Sequence, residues 1–302
     1  MPDPSAAAAP SAPSSTRFYD LPHGIRIAAD VFGDAAARPV VFLHGGGQTR
    51  HAWAGAAAAV ARAGYQAITL DHRGHGESSW AESGGYRVED FATDLAAVVA
   101  RLGRAPVVVG ASLGGITAMH LNARDGAALA GIVLVDVTPR MEISGVQRIV
   151  AFMGASPDGF ASLEEVADAV ASYLPHRPRP KDLGGLQKNL RVGPDGRYRW
   201  HWDPALMKFW NTRHVDAQAV ERAMEERIAQ ARAIRVPTLL VRGRMSDVVT
   251  EEGAREFLSI VPHAEYVDLE AAGHMVAGDR NDAFTSSVLG FLSSRFPVGD
   301  TR

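Results

Sequence analysis

The 302-residue chain contains no cysteine, which excludes disulfides, a thiol nucleophile and any thiolate-bound metal. It has no run of about 18 apolar residues, the length a helix needs to cross a bilayer, so no membrane partner is expected. An excess of charge is missing too. With 31 Lys+Arg against 34 Asp+Glu the net charge is −3, which offers no electrostatic footing for nucleic acid. No Gly-Lys-Ser/Thr follows the glycines at 45–47, so they do not read as a phosphate cradle. His72 and His75 have no further ligand cluster at usable spacing, and neither a metal nor another cofactor is expected. The opening stretch, MPDPSAAAAPSAPS, lacks the basic start of a signal peptide and the composition of a packed element. It is expected to form a disordered tail through residue 15, in a cytoplasmic protein.

What the chain does have is apolar material in an ordered rhythm, 46% of it hydrophobic. The run Val107-Val108-Val109 reads as a fully buried strand. It stops at Gly110-Ala111-Ser112-Leu113-Gly114-Gly115, after which the spacing turns helical. A serine on so sharp a strand-to-helix turn stands clear of the sheet, and glycines leave room for the bend. The amide of Leu113, at the start of the helix, then points toward any negative charge that develops beside the serine.

The same alternation runs along the chain. Strands are predicted at residues 24–31, 39–43, 66–70, 129–135, 236–241 and 265–269, and helices at 53–63, 88–102, 251–260 and 282–291. Strands that alternate with helices argue a mostly parallel sheet covered on both faces. Residues 140–233 break the rhythm, being helical at 163–174 and 219–233 or rich in proline near 175–180. This yields a core domain of residues 16–139 and 234–302, with a helical insertion at 140–233.

In an open parallel sheet, groups just past the carboxyl ends of the strands converge on one edge. Ser112, Asp247 and His274 all occupy such positions. The chemistry assigns them roles: His274 takes the serine proton and later returns it to the leaving group, and an aspartate holds the imidazole tautomer. Asp136 also ends a strand and is the rival acid. Asp247 is preferred because the stretch from it to His274 fits one loop–helix–strand unit. The amides of Gly46 and Leu113 are the expected oxyanion donors.

With His44-Gly45-Gly46-Gly47, Asp71-x-Arg73-Gly74-x-Gly76-x-Ser78, Gly110-x-Ser112-x-Gly114, Asp247 and Gly273-His274, the chain resembles the α/β-hydrolase superfamily over about residues 16–297. The resemblance implies an α/β fold with a helical cap inserted after the sixth strand. It also implies a serine hydrolase that cleaves an apolar carboxylic ester or lactone through an acyl-enzyme. Carbon–carbon bond hydrolysis, perhydrolysis and a ligand receptor that retains the triad are the alternatives. Epoxide hydrolases and haloalkane dehalogenases carry an aspartate where this chain has Ser112. His44, Asp71, Arg73 and His75 read as scaffold for the turns rather than as catalysts. Trp200, Trp202, Met207, Trp210 and Met275 are candidates for the wall of an apolar pocket, with packing between the two parts of the chain as the competing explanation. The expected partner is a small apolar substrate.

Overall fold

The computed structural model describes residues 12–82, 84–175, 177, 179, 183–210, 217–276 and 281–299. The first eleven residues of the expected tail lie outside this set, and its end is corrected. Ser15 already belongs to an edge strand, β1 (Ser15–Asp20), which pairs antiparallel with β2 (Arg26–Phe32). Its sequence, STRFYD, is mostly exposed, so it carries no apolar pattern by which to recognise it.

The remaining strands of the main sheet are β3 (Pro39–Leu43), β4 (Gln66–Leu70), β5 (Val107–Ala111), β6 (Gly131–Val135), β9 (Thr238–Gly243) and β10 (Glu265–Leu269). Their order is β1-β2-β4-β3-β5-β6-β9-β10. All neighbours from β4 to β10 run parallel, and only β1 and β2 are antiparallel. Alternation within the buried strands feeds two cores. Val108, Leu134 and Leu240 face one layer, with Leu95 of α2 (Val88–Val99) and Met119 of α3 (Leu113–Arg124). Val107, Val109, Val133 and Val241 face the other, with Val60 of α1 (Ala54–Arg62) and Phe284 of α9 (Asn281–Arg295). Burial on both faces explains why these strands read as continuous valine and leucine.

Between β6 and β9 the chain leaves the main sheet. It forms α4 (Ile143–Met153), α5 (Leu163–Tyr173), a hairpin of β7 (Leu190–Val192) and β8 (Tyr198–Trp200), α6 (Leu206–Trp210) and α7 (Ala217–Arg232). The chain then returns through β9, α8 (Glu251–Ile260) and β10. Helix α7 packs on α3 and α8, which anchors the end of this excursion to the sheet layer.

Candidate active site

The sharp turn after β5 is built as its sequence requires. Ser112 has φ 45° and ψ −111°, a conformation that ordinary residues avoid and that costs roughly 1–3 kcal/mol. Three glycines make it possible by close approach. A Cβ on Gly110 would lie 2.5 Å from the Gly114 backbone, one on Gly114 would strike Leu43 O, and one on Gly115 would strike Val137 Cγ1. Gly114→Ala is therefore expected to destabilise the fold by about 3 kcal/mol or more, since the clash is with buried backbone that cannot move aside. Urea unfolding of the variant measures it, and a loss below about 1 kcal/mol, the low end for overpacking, would mean that the turn is not so tight.

On the neighbouring strand, Asp136 follows β6 as Ser112 follows β5. The two strands pair Ala111 with Val135, and the Ser112 amide donates to Val135 O at 3.2 Å. Asp136 likewise has a positive φ, 48°, and its side chain is fully buried. His274 Nδ1 lies 2.7 Å from Asp136 Oδ2. Two further donors hold that carboxylate: Gly243 N at 3.0 Å to Oδ1 and Ser246 Oγ at 2.5 Å to Oδ2. Ser246 Oγ is itself fixed by the amides of Val248 and Val249, each at 3.1 Å.

The carboxylate that meets His274 is thus that of Asp136, the rival acid, and not that of Asp247. Asp247, on the turn beyond β9, pairs with Arg148 of α4, and both side chains have substantial exposure. The physical reason is the tight turn after β9, where the Ser246 amide donates to Gly243 O at 2.9 Å. That turn directs Ser246 inward to Asp136, while Asp247 meets the exposed guanidinium.

The glycine loop after β3 sits against the serine turn. A Cβ on Gly45 would lie 3.4 Å from Ser112 Cβ. Within the loop, Gly45 N donates to Gln48 Oε1 at 3.0 Å and Gly47 N donates to His75 Nε2 at 3.2 Å. The Gly46 amide between them has no acceptor among the described residues. Leu113, the first residue of α3, carries one of the amides that a helix leaves unpaired at its N-terminus. Both expected oxyanion donors thus retain capacity for a ligand.

Four buried histidines brace this loop: His44 and His75, expected as scaffold, together with His72 and His201. His44 Nδ1 donates to Gly45 O at 2.7 Å and its Nε2 accepts from His72 N at 3.0 Å. His72 Nε2 donates to His44 O at 3.2 Å. His75 Nδ1 donates to Arg73 O at 3.0 Å, which leaves Nε2 to accept from Gly47. His201 Nδ1 accepts from Gly76 N at 2.7 Å while its Nε2 donates to Gly47 O at 3.4 Å. Burial disfavours their protonated forms, pushing His44 down to about 4 and His75 to about 3, with His72 and His201 also well below the usual histidine range.

The aromatic candidates separate into two groups. Trp210 reaches the loop: its ring would meet a Cβ on Gly46 at 2.9 Å, and it lies 6.2 Å from the His75 ring. Met153, at the end of α4, covers Gly47 beside it and had no distinguishing signal in the sequence. Trp200 and Trp202 instead stack on each other at 4.9 Å, and Phe152 and Phe160 pack on Trp200. Met207 lies near Gly154 at the end of α4. Met275 follows His274, and its carbonyl accepts from Arg177 at 3.3 Å.

Known proteins share both this fold and much of the sequence. An esterase of Mycobacterium tuberculosis is 33% identical over 283 residues, covering 89% of this chain and 87% of its own length. A 3-hydroxybutyrate-oligomer hydrolase of Cupriavidus necator is 30% identical over 258 residues, covering 82% of this chain and 87% of that protein. Among solved structures, E-2-(acetamidomethylene)succinate hydrolase superposes with a TM-score of 0.79 at 22% identity, over 92% of this chain and 99% of that one. Residues 38–280 match the pattern of the alpha/beta hydrolase fold, and with those relatives alongside, the chain belongs to that family.

Proposed function

We propose that the protein is a serine hydrolase that cleaves an apolar carboxylic ester or lactone through an acyl-enzyme. The observation that carries this reading is the pairing at adjacent strand ends: Ser112 in its strained turn, and the buried Asp136 one strand over, bonded to His274. A serine hydroxyl is too weakly acidic to attack unaided. His274 accepts its proton as the oxygen adds to the carbonyl, and Asp136 holds Nδ1–H in place and stabilises the imidazolium that forms. The carbonyl oxygen becomes an oxyanion, which the amides of Gly46 and Leu113 receive. Each such donor is worth about 2.7–4 kcal/mol of barrier. His274 then gives the proton to the departing alkoxide, and water enters by the same route to release the acid.

Residues 140–233 act as the cap in this reading. Trp210 and Met153 supply the apolar surface over the glycine loop, suited to an acyl chain. The stacked Trp200 and Trp202 shape the cap from within. The esterase and oligomer-hydrolase relatives favour ester cleavage, the second pointing to hydroxyacyl esters of modest length.

The test is active-site titration with a fluorophosphonate probe, followed by a series of p-nitrophenyl esters and lactones of increasing chain length. Wild type is expected to be labelled at one site per chain and to turn over esters. Ser112→Ala is expected to lose the label and at least about 10⁴-fold in kcat, with its melting temperature unchanged, since alanine keeps the Cβ and with it the strain of the turn. Labelling that persists in Ser112→Ala would remove Ser112 from the chemistry.

A further inference from the structure

Three glycines in succession make the loop after β3 pliable, yet an oxyanion donor on that loop has to be held still. The amides of the loop divide in a way that leaves one of them over. Gly47 N is taken by His75 Nε2, Gln48 N by Gly45 O at 3.2 Å, and Gly45 N by Gln48 Oε1 at 3.0 Å. Among the described residues, Gly46 N alone of these four has no acceptor. Gln48 takes part in two of the three bonds, one through its main chain and one through its side chain.

Gln48 therefore clasps Gly45 at both of its polar groups. The donor at the side-chain contact is a backbone amide, so it is the oxygen of the Gln48 amide that faces it. These bonds bear directly on Gly46. Gly45 C=O and Gly46 N–H are opposite ends of one planar trans peptide, so pinning the oxygen aims the N–H the other way. His44 Nδ1 grips that oxygen as well, at 2.7 Å. The peptide before it is gripped at its oxygen by His72 Nε2 and at its N–H by Gln48 Oε1. Both planes flanking Gly45 are thus fixed, and a residue with the widest backbone freedom is left with little. Gly45 is buried, and the place of its missing Cβ lies 3.3 Å from Gln48 Oε1 and 3.4 Å from Ser112 Cβ. Without the glutamine oxygen, a buried N–H close to Ser112 would need another acceptor, and the loop would shift to reach one.

We infer that Gln48 is a positioning residue for the oxyanion donor Gly46. It acts through Gly45, by spending that amide and fixing the peptide that carries the Gly46 N–H, and not by touching the reacting atoms. The role rests on the serine-hydrolase reading given above.

The test compares two variants of the full chain. Gln48→Met keeps the length of the side chain and removes its oxygen, whereas Gln48→Glu keeps an oxygen within reach of Gly45 N. Each is assayed on an aryl ester and on the matching thionoester, in which sulfur replaces the carbonyl oxygen. Sulfur accepts hydrogen bonds poorly, so the ester-to-thionoester ratio of kcat/KM reports how well the amides meet the oxyanion. Gln48→Met is expected to lose roughly tenfold in kcat on the ester, with KM changed less than about twofold and the ratio lowered about fivefold or more. Gln48→Glu also slows, because its charge opposes the oxyanion, but keeps the wild-type ratio within about twofold. Both variants are expected to take one fluorophosphonate per chain. A wild-type ratio in Gln48→Met overturns the role. So does a ratio in Gln48→Glu well below that of wild type, which would place the side-chain NH2 on the substrate itself; this second comparison stands even if Gln48→Met fails to fold. A wild type that cleaves no ester overturns the serine-hydrolase reading and this role with it, whereas an active wild type with either of the other results overturns this role alone.

Discussion

Asp136→Asn is expected to lower kcat by about 10⁴-fold on a p-nitrophenyl ester, while Asp247→Asn lowers it less than about threefold. The contrast follows from what each carboxylate holds. Asp136 Oδ2 faces His274 Nδ1 at 2.7 Å and Ser246 Oγ at 2.5 Å, and Oδ1 accepts from Gly243 N at 3.0 Å. Every neighbour is a donor. An asparagine here has one oxygen for three donors and must turn its NH2 either on the histidine or on the Gly243 amide. If it faces the histidine, Nδ1 becomes the acceptor and Nε2 carries the proton, the tautomer that cannot take a proton from Ser112. If it faces the amide, a buried donor is left against a donor, which costs about 1–3 kcal/mol of stability instead. Among the described residues the Asp247 carboxylate pairs with Arg148, with side chains 35% and 62% exposed, and an exposed pair of this kind is worth at most about 1 kcal/mol. Steady-state kinetics on the two variants, with melting curves to separate activity from folding, decide the matter. The opposite order would return the acid to the loop after β9.

The chain's own pattern carries Ser112, His274 and the glycine loop because each is a local signal: a strand that stops, a glycine-rich turn, a helix that starts. The acid is not local. Asp136 and Asp247 both follow buried strands, and choosing between them requires strand order and turn direction, neither of which is written in the spacing from Asp247 to His274. Two details bear on the choice once the fold is known. Asp136 follows Val135 with no intervening loop, one strand from Ser112, whereas Asp247 stands beyond Gly243 at the end of a turn. Ser246, the hydroxyl that meets Asp136, stands immediately before Asp247 and carries no signal of its own in the sequence. The aromatic segment fails for a related reason. Helical and strand periods identify Trp200, Trp202 and Trp210 as apolar surface, but only the path of the hairpin and α6 decides that Trp210 alone of the three meets Gly46. The edge strand β1 is invisible because its residues are mostly exposed and show no apolar alternation, its place being set by backbone pairing with β2.

The histidine cage predicts steep acid unfolding. His44, His72, His75 and His201 are at most 5% exposed, and all are held neutral in the folded chain. In the unfolded chain each titrates near 6.5. Below that value the unfolded state binds more protons than the folded one, so stability falls as pH drops, and it continues to fall until the folded histidines titrate near 4 and below. Three of the four also use a ring nitrogen to accept from a backbone amide, so protonation breaks a bond as well as burying a charge. Each histidine then costs about 2 kcal/mol at pH 5, and the four together about 8, a loss comparable with the whole stability of an ordinary domain. Near pH 5.5 the slope of unfolding free energy is expected to approach 5 kcal/mol per pH unit, close to four protons taken up on unfolding, with a plateau above about pH 7.5. Urea unfolding at half-unit steps from pH 5 to 8 reads this directly. A slope no steeper than that of a single proton taken up on unfolding would mean that at most one buried histidine stays neutral. Activity is tied to the same groups, because Gly47 N and O are held by His75 and His201. Ester turnover is therefore expected to be lost wherever this bracing of the glycine loop is lost with the fold.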